Sequence, residues 1–183
     1  MKLILIRHGE TIGNFNRINE GHLDGELSQL GAEQVNKLAL RLKDEKIDVI
    51  YCSDLGRAKQ TCNAIIENHL NIPVFYVEDL REKNIGDFTG KSCDCVDWNN
   101  LPNNAETHEQ FKNRIVKLFD LVYKKYKNKT VLFVAHYYIN SNLLSYLLKE
   151  SKVYRQDNTC VNILEIKNNK VISSLINCTK HLK

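Results

Sequence analysis

Four short apolar runs in this chain are each followed by side chains able to do chemistry on a phosphate ester. Arg7 and His8 close the first run and lead into Gly9, Glu10 and Thr11. Ser53, Asp54 and Arg57 follow the second, Leu80-Arg81-Glu82 the third, and His136 the run 130–135. A neutral imidazole can attack phosphorus and carry the phosphoryl group as a covalent intermediate. Arginine forks grip nonbridging phosphate oxygens in bidentate fashion and keep their charge throughout. A carboxyl such as that of Glu82 can give a proton to a leaving alkoxide and later take one from water. His136, if charged, would stabilise the equatorial oxygens, and a helix start near Arg57 would offer amide donors to an anion.

Taken singly, each residue has a plainer reading. A histidine at a strand end is commonly hydrogen-bonded scaffolding, Arg57 a helix-surface cation and Glu82 a loop carboxylate. Their joint placement after four apolar runs favours the chemical reading. His22, His69, His108 and His181 have no such placement, and the last three read as surface residues.

The elements that must position these groups follow from periodicity. Residues 2–7 read as a strand buried on both faces, and 48–51, 74–77 and 130–135 as further strands. Residues 28–44 read as a helix with Val35, Leu38, Ala39 and Leu42 on one stripe and Ser28 as N-cap. Leu55, Ala58, Cys62, Ile65 and Ile66 mark a second helix. Thr107 and Gln110 resemble a capping box opening a third, with Phe111, Ile115, Leu118 and Val122 on its buried face. Ile139, Leu143 and Leu147 mark a fourth. Two last strands, 161–166 and 171–176, are joined by the turn Lys167-Asn168-Asn169-Lys170 and must run antiparallel to each other. Between 86 and 104 no period is sustained, and a connection this long inside a compact domain is commonly a functional lid. The alternation implies an α/β fold, helices layered on a mainly parallel sheet, whose ligands bind at the carboxyl ends of the strands.

The 183 residues fit one domain, 1–183, with the lid insertion at about 88–106. The 43% hydrophobic and 26% charged shares exclude a disordered or collagenous chain. A net charge of +4 suits an anionic small molecule but is too modest and scattered for a nucleic-acid face. The densest basic stretch, Lys124 to Lys129, reads as a solvated helix end. Leu3 to Ile6 is far shorter than the roughly 7–15 apolar residues of a secretory segment. No membrane partner is expected, and the protein reads as cytoplasmic. Six cysteines form no disulfide-scaffold pattern, and Cys93-Asp94-Cys95 lacks zinc spacing, so free thiols, no metal and no cofactor are expected.

At the residues already named the chain resembles the histidine phosphatase superfamily, also called phosphoglycerate mutase-like. Leu5-Ile6-Arg7-His8-Gly9-Glu10-Thr11 with Asn14 is similar to its N-terminal signature, and Glu20 to Ser28 with Gly31 and Gln34 to its next block. Tyr51 to Thr61 resembles the block carrying a second phosphate-binding arginine. Leu80-Arg81-Glu82, with Gly86 to Gly90, resembles the block carrying the general acid, and Val134-Ala135-His136 the second-histidine block. The resemblance implies a three-layer α/β/α sandwich. It makes His8 the phosphohistidine nucleophile and Glu82 the proton donor and acceptor. Arg7, Arg57 and His136 become phosphoryl ligands assisted by Asn14, with Glu20 and Gly21 beside the substrate. Tyr137 and Tyr138 stand where glycine usually follows the second histidine; the Tyr137 amide can still meet phosphate, but its ring needs room. Glu20 stands where glutamine is common, so it would repel an anion or contact a hydroxyl.

Phosphatase and mutase share formation of phospho-His8 and differ in whether water or a second substrate hydroxyl discharges it. A mutase needs a strongly cationic enclosure, yet between Gly86 and Asn113 the only basic side chains are Lys91, His108 and Lys112. The expected activity is therefore that of a histidine acid phosphatase-type phosphomonoesterase acting on a small phosphorylated metabolite. The alpha-ribazole phosphatases are similar in length and in the Gly86 to Gly90 stretch. A cofactor-dependent phosphoglycerate mutase is the alternative. A third reading, a non-catalytic domain that binds a phosphorylated ligand, would follow if Tyr137 blocked turnover.

Overall fold

β1 (Lys2–Arg7) is an unbroken apolar run because it is covered on both faces. Leu3 and Leu5 join one buried cluster, Ile4 and Ile6 another, as the two-residue period of a strand requires. In the computed structural model, which describes residues 1–183, these clusters are the two sides of one six-stranded sheet.

After β1 come a short helix α1 (Ile12–Phe15), α2 (Gln29–Leu42), β2 (Val49–Ser53), α3 (Gly56–Ile66) and β3 (Val74–Val77). The chain continues through α4 (His108–Lys125), β4 (Thr130–Ala135), α5 (Tyr137–Leu148), β5 (Val161–Lys167) and β6 (Lys170–Cys178). The strand order is β3-β2-β4-β1-β5-β6. The first four strands of that order are parallel to one another, while β5 is antiparallel to both β1 and β6. Phe111, Ile115 and Phe119 of α4 and Ile139 and Leu143 of α5 cover the Leu3/Leu5 face. Leu38 and Leu42 of α2 and Ala58, Cys62 and Ile65 of α3 cover the Ile4/Ile6 face. The expected α/β/α layering is thus present.

Both predicted caps form. The Ser28 hydroxyl accepts from the Gly31 amide, and Thr107 and Gln110 make a reciprocal capping box. α4 ends on Lys124 and Lys125, where cations complement the helix dipole. The final turn is tighter than expected. The strands reach Lys167 and Lys170, leaving Asn168 (φ 50°) and Asn169 (φ 60°) as a two-residue loop of the mirror-image kind that suits strand twist. Two histidines expected at the surface are half-buried instead: the His69 ring meets the Leu42 carbonyl at 3.0 Å, and His181 packs near Thr159 at 3.3 Å. No helix is long and apolar enough to cross a membrane.

Candidate active site

The site begins as a consequence of register. Parallel pairing of β1 with β4 sets Arg7 opposite Ala135, so the residues that follow, His8 and His136, emerge side by side. The His8 amide donates to the Ala135 carbonyl (3.1 Å), and the imidazole centroids lie 5.1 Å apart at 61°. β2 pairs Cys52 with Val134, which brings the Ser53 hydroxyl to 2.9 Å from His136 Nε2. The first turn of α3 then carries Arg57 over His8.

The tautomer of His8 follows from its partners. Nδ1 lies 2.7 Å from the Gly9 carbonyl, which can only accept, so Nδ1 holds the proton and Nε2 presents a lone pair. Arg57 Nε donates to that lone pair at 3.2 Å. Burial, then the charges of Arg57 and Arg7, pull the His8 pKa well below its usual value, so the ring is neutral near neutrality. His136 is held down in the same way by burial and then by Arg57, and its buried Nδ1 has no protein partner.

Arg57 is 2% exposed and its fork is fully engaged: it donates to the carbonyls of Gly21 (2.9 Å), Leu23 and Asp24. Glu20, also buried, stands 3.8 Å from Arg57 Nε and accepts from the Thr11 hydroxyl at 2.8 Å. It is the countercharge of Arg57 as well as a wall of the cavity. Arg7 donates to the Gln156 carbonyl (2.7 Å) and approaches Asn14 Oδ1 (3.5 Å). Asn14 Oδ1 also accepts from Asn158 (3.1 Å), which leaves its NH2 group to the cavity that Asn14 lines. Burial lowers the pKa of both arginines, yet a guanidinium stays charged at any working pH.

Glu82 accepts the amides of Lys83 (3.0 Å) and Tyr138 (3.1 Å), which favour its anion. Desolvation outweighs them, and its pKa is raised above the usual glutamate value. The backbone beneath it is clamped: His22 Nε2–H and Arg114 both donate to the Glu82 carbonyl, at 2.8 and 3.0 Å. Arg114 is in turn forked on Glu106. Arg81 forks on Asp54 through contacts of 2.8 and 2.5 Å, tying the loop after β3 to the loop after β2.

Arg7, His8, Asn14, Glu20, Gly21, Arg57, Glu82 and Tyr137 line one cavity of about 210 Å³. His136 does not reach its wall; it lies fully buried against His8. The Tyr137 ring has found room by lying over the Arg7 guanidinium, 5.5 Å from ring centroid to Cζ. One expectation is corrected: the start of α3 offers no free amides, because Asp24 takes the Gly56 amide through its carboxylate (2.9 Å) and the Arg57 amide through its carbonyl (2.8 Å). Sequence reasoning also missed the segment 156–159. Beyond the Gln156 contact, Asn158 donates to the His8 carbonyl (3.1 Å), and the Thr159 amide bonds the Arg7 carbonyl (3.1 Å). That segment has no period and no motif, so only its run of polar residues beside a strand could have drawn notice.

A neutral buried imidazole lone pair facing the Arg57 guanidinium, with a carboxyl of raised pKa lining the same cavity, can accept and release a phosphoryl group. No group of three or more His, Cys, Asp or Glu side chains is arranged to hold a metal ion.

Known proteins resemble this chain in sequence and fold. The metal-independent phosphoserine phosphatase of Arabidopsis thaliana is 27% identical over 197 residues, covering 99% of this chain and 83% of its own. The adenosylcobalamin/alpha-ribazole phosphatase of Escherichia coli (strain K12) is 28% identical over 162 residues, covering 81% and 79%. The solved structure of Bacillus stearothermophilus YhfR superposes with a TM-score of 0.91 at 25% identity, covering 100% of this chain and 99% of that one. The sequence profile of the histidine phosphatase superfamily (branch 1) matches residues 3–179, and the chain belongs to that family.

Proposed function

We propose that the protein hydrolyses a small phosphomonoester by double displacement through phospho-His8. The observation that carries this is the His8 ring itself: neutral, buried, its Nδ1 proton fixed on Gly9 and its Nε2 lone pair directed at Arg57. An entering phosphoryl group draws Arg57 from Nε2 to its nonbridging oxygens, which frees the lone pair. Nε2 then forms the N–P bond as the ester P–O bond breaks, and protonated Glu82 gives its proton to the leaving oxygen. The Glu82 carboxylate next takes a proton from water, the water oxygen bonds to phosphorus, and the N–P bond breaks to release phosphate. Arg7, Arg57 and the Asn14 amide hold the nonbridging oxygens. His136, held through Nε2 by Ser53 behind His8, is the remaining phosphoryl ligand: its otherwise unpartnered Nδ1–H comes within reach only once the entering group has displaced Arg57 from His8. The cytoplasmic setting belongs to the same reading and rests on cysteine spacing without a disulfide pattern.

The test is hydrolysis of p-nitrophenyl phosphate by wild-type and His8→Ala protein, with and without EDTA. Turnover that is lost in the variant and indifferent to chelator supports the reading. An inactive wild type, or activity abolished by EDTA, contradicts it. Incubation with 3-phosphoglycerate and a trace of 2,3-bisphosphoglycerate separates the two discharges: release of phosphate is expected, and conversion to 2-phosphoglycerate would make the chain a mutase.

A further inference from the structure

Beside the catalytic cavity lies a larger one of about 650 Å³, and the two share Lys83, Trp98 and Tyr138 as a common wall. Its far side is built from the start of α4, the end of α5 and the segment that follows it, which contribute Lys112, Lys149 and Lys152. Four lysines therefore face one carboxylate, Glu150, and that carboxylate is already bound by Lys152 (2.5 Å) and the Tyr154 hydroxyl (2.8 Å). Lys112 of the 86–113 stretch is thus joined by three cations from segments outside it, Lys83, Lys149 and Lys152. The inner cavity is closer to balance: Arg7, Arg57 and the shared Lys83 stand there with Glu20 and Glu82, so one phosphoryl group takes up most of its positive charge. A second anion on the same substrate is repelled inside and attracted outside. The Trp98 and Tyr138 rings, 5.2 Å apart, form the divide that a leaving group must pass, and the outer volume suits a group of metabolite size.

We propose that this outer cavity binds a second anionic group, phosphate or carboxylate, carried on the leaving-group side of the substrate. The proposal rests on phosphoryl transfer occurring at His8, and it adds the substrate class: phosphomonoesters with a remote second negative charge. Lys112 and Lys149 are the specificity-determining residues, since neither makes an ion pair and neither touches the catalytic cavity.

The test compares straight-chain diol bisphosphates of increasing length with the matching monophosphates and with ω-carboxyalkyl phosphates, using p-nitrophenyl phosphate as the reference. In wild-type protein the kcat/KM of the best bisphosphate exceeds that of its monophosphate by about tenfold, the size of one added charge-assisted contact. The carboxyalkyl arm shows whether carboxylate serves as well as phosphate. In the Lys112→Gln/Lys149→Gln protein that ratio falls towards one, and in Lys112→Arg/Lys149→Arg it persists. Equal rates for bisphosphate and monophosphate, or a ratio untouched by the glutamines, would overturn the outer site while turnover of p-nitrophenyl phosphate leaves the catalytic reading intact. If nothing is turned over, the catalytic reading fails. Calorimetric titration of the same compounds into His8→Ala protein, with and without the glutamines, then judges the outer site by the same ratio of affinities.

Discussion

The two halves of the substrate-facing surface are held by different physics. On one side, Arg7, His8, Arg57 and His136 hang from the ends of paired parallel strands or the helix that follows. His8, Arg57 and His136 are 3%, 2% and 0% exposed. On the other side, the stretch from Gly86 to Glu106 has no helix or strand beyond two single 3-10 turns, Gly86–Phe88 and Cys93–Cys95, and its Trp98 is 42% exposed. Ladder register fixes the first side, so a change there shifts the reacting atoms. The second is attached by backbone bonds of Gly90, Lys91 and Cys93 to the 17–19 segment and by the Arg17–Asp94 ion pair, with no ladder beyond that, so a change near Trp98 alters what fits without moving the chemistry. The proposed chemistry thus sits on the rigid side and the proposed selectivity on the adaptable one.

That contrast breaks most sharply at Arg57. Arg57→Ala is expected to lower kcat/KM on an aryl phosphate by about a thousandfold, as loss of a transition-state donor does. Arg57→Lys should recover only part, because a point charge cannot replace the fork. Steady-state kinetics alongside a thermal melt read both; a loss below tenfold with the fold intact would undo the assignment.

Glu82 gives the next largest effect and a pH signature. Attack needs His8 neutral and leaving needs Glu82 protonated. The His8 pKa is lowered, so its limb lies at acid pH. The Glu82 pKa is raised, so activity persists to a higher pH than an ordinary glutamate allows and falls as pH climbs through that raised value. The wild-type profile is therefore bell-shaped, with its acid limb below the ordinary imidazole range and its alkaline limb above the ordinary glutamate range. Glu82→Gln should erase the alkaline limb and cost about a hundredfold on alkyl phosphates. The cost in kcat/KM on p-nitrophenyl phosphate should be much smaller, since that leaving group needs no proton, while kcat still falls because water is no longer activated to discharge phospho-His8. A surviving alkaline limb in the variant would reject Glu82 as the acid.

A third, smaller effect is expected at Gly13. A Cβ there would lie 2.6 Å from the Glu20 side chain, which is buried and tied to Thr11, so it cannot simply swing aside. Gly13→Ala should displace the countercharge of Arg57, raise KM several-fold and cost about 1–3 kcal/mol, as overpacking does. An unchanged KM would show that Glu20 matters to neither.

Trp98→Ala should do least: a few-fold rise in KM for substrates with a large leaving group and a stability change within about 0.5 kcal/mol, as for exposed positions. Leu5→Ala, by contrast, removes a fully buried β1 side chain and should cost about 2–5 kcal/mol. If the tryptophan change destabilised the protein as much as the leucine change, the two sides would not differ in the way described.

What the sequence made legible follows the same division. β1 announces itself because a strand covered on both faces needs an unbroken apolar run, and Ser28 and Thr107 announce helix starts because orphan amides need an oxygen. The pairing of β1 with β4, which makes neighbours of His8 and His136, is a long-range choice that no local pattern encodes; the order of the motifs only hints at it. Glu20 looked like a substrate contact, and its second duty, neutralising Arg57, depends on a loop closing back over α3. Asp24 takes the α3 amides through that same loop. The lysines of the outer cavity were missed because Lys83, Lys149 and Lys152 lie outside the insert and meet it only in three dimensions.

The most direct test of phosphoryl transfer at His8 is to trap the intermediate. Wild-type and Glu82→Gln protein are mixed with a radiolabelled aryl phosphate, quenched within a turnover, and mapped by mass spectrometry. The account predicts an acid-labile, base-stable label on the His8-containing peptide, enriched in the Glu82→Gln protein because water can no longer be activated to discharge it. A label on another residue, or turnover without any labelled protein, would contradict it.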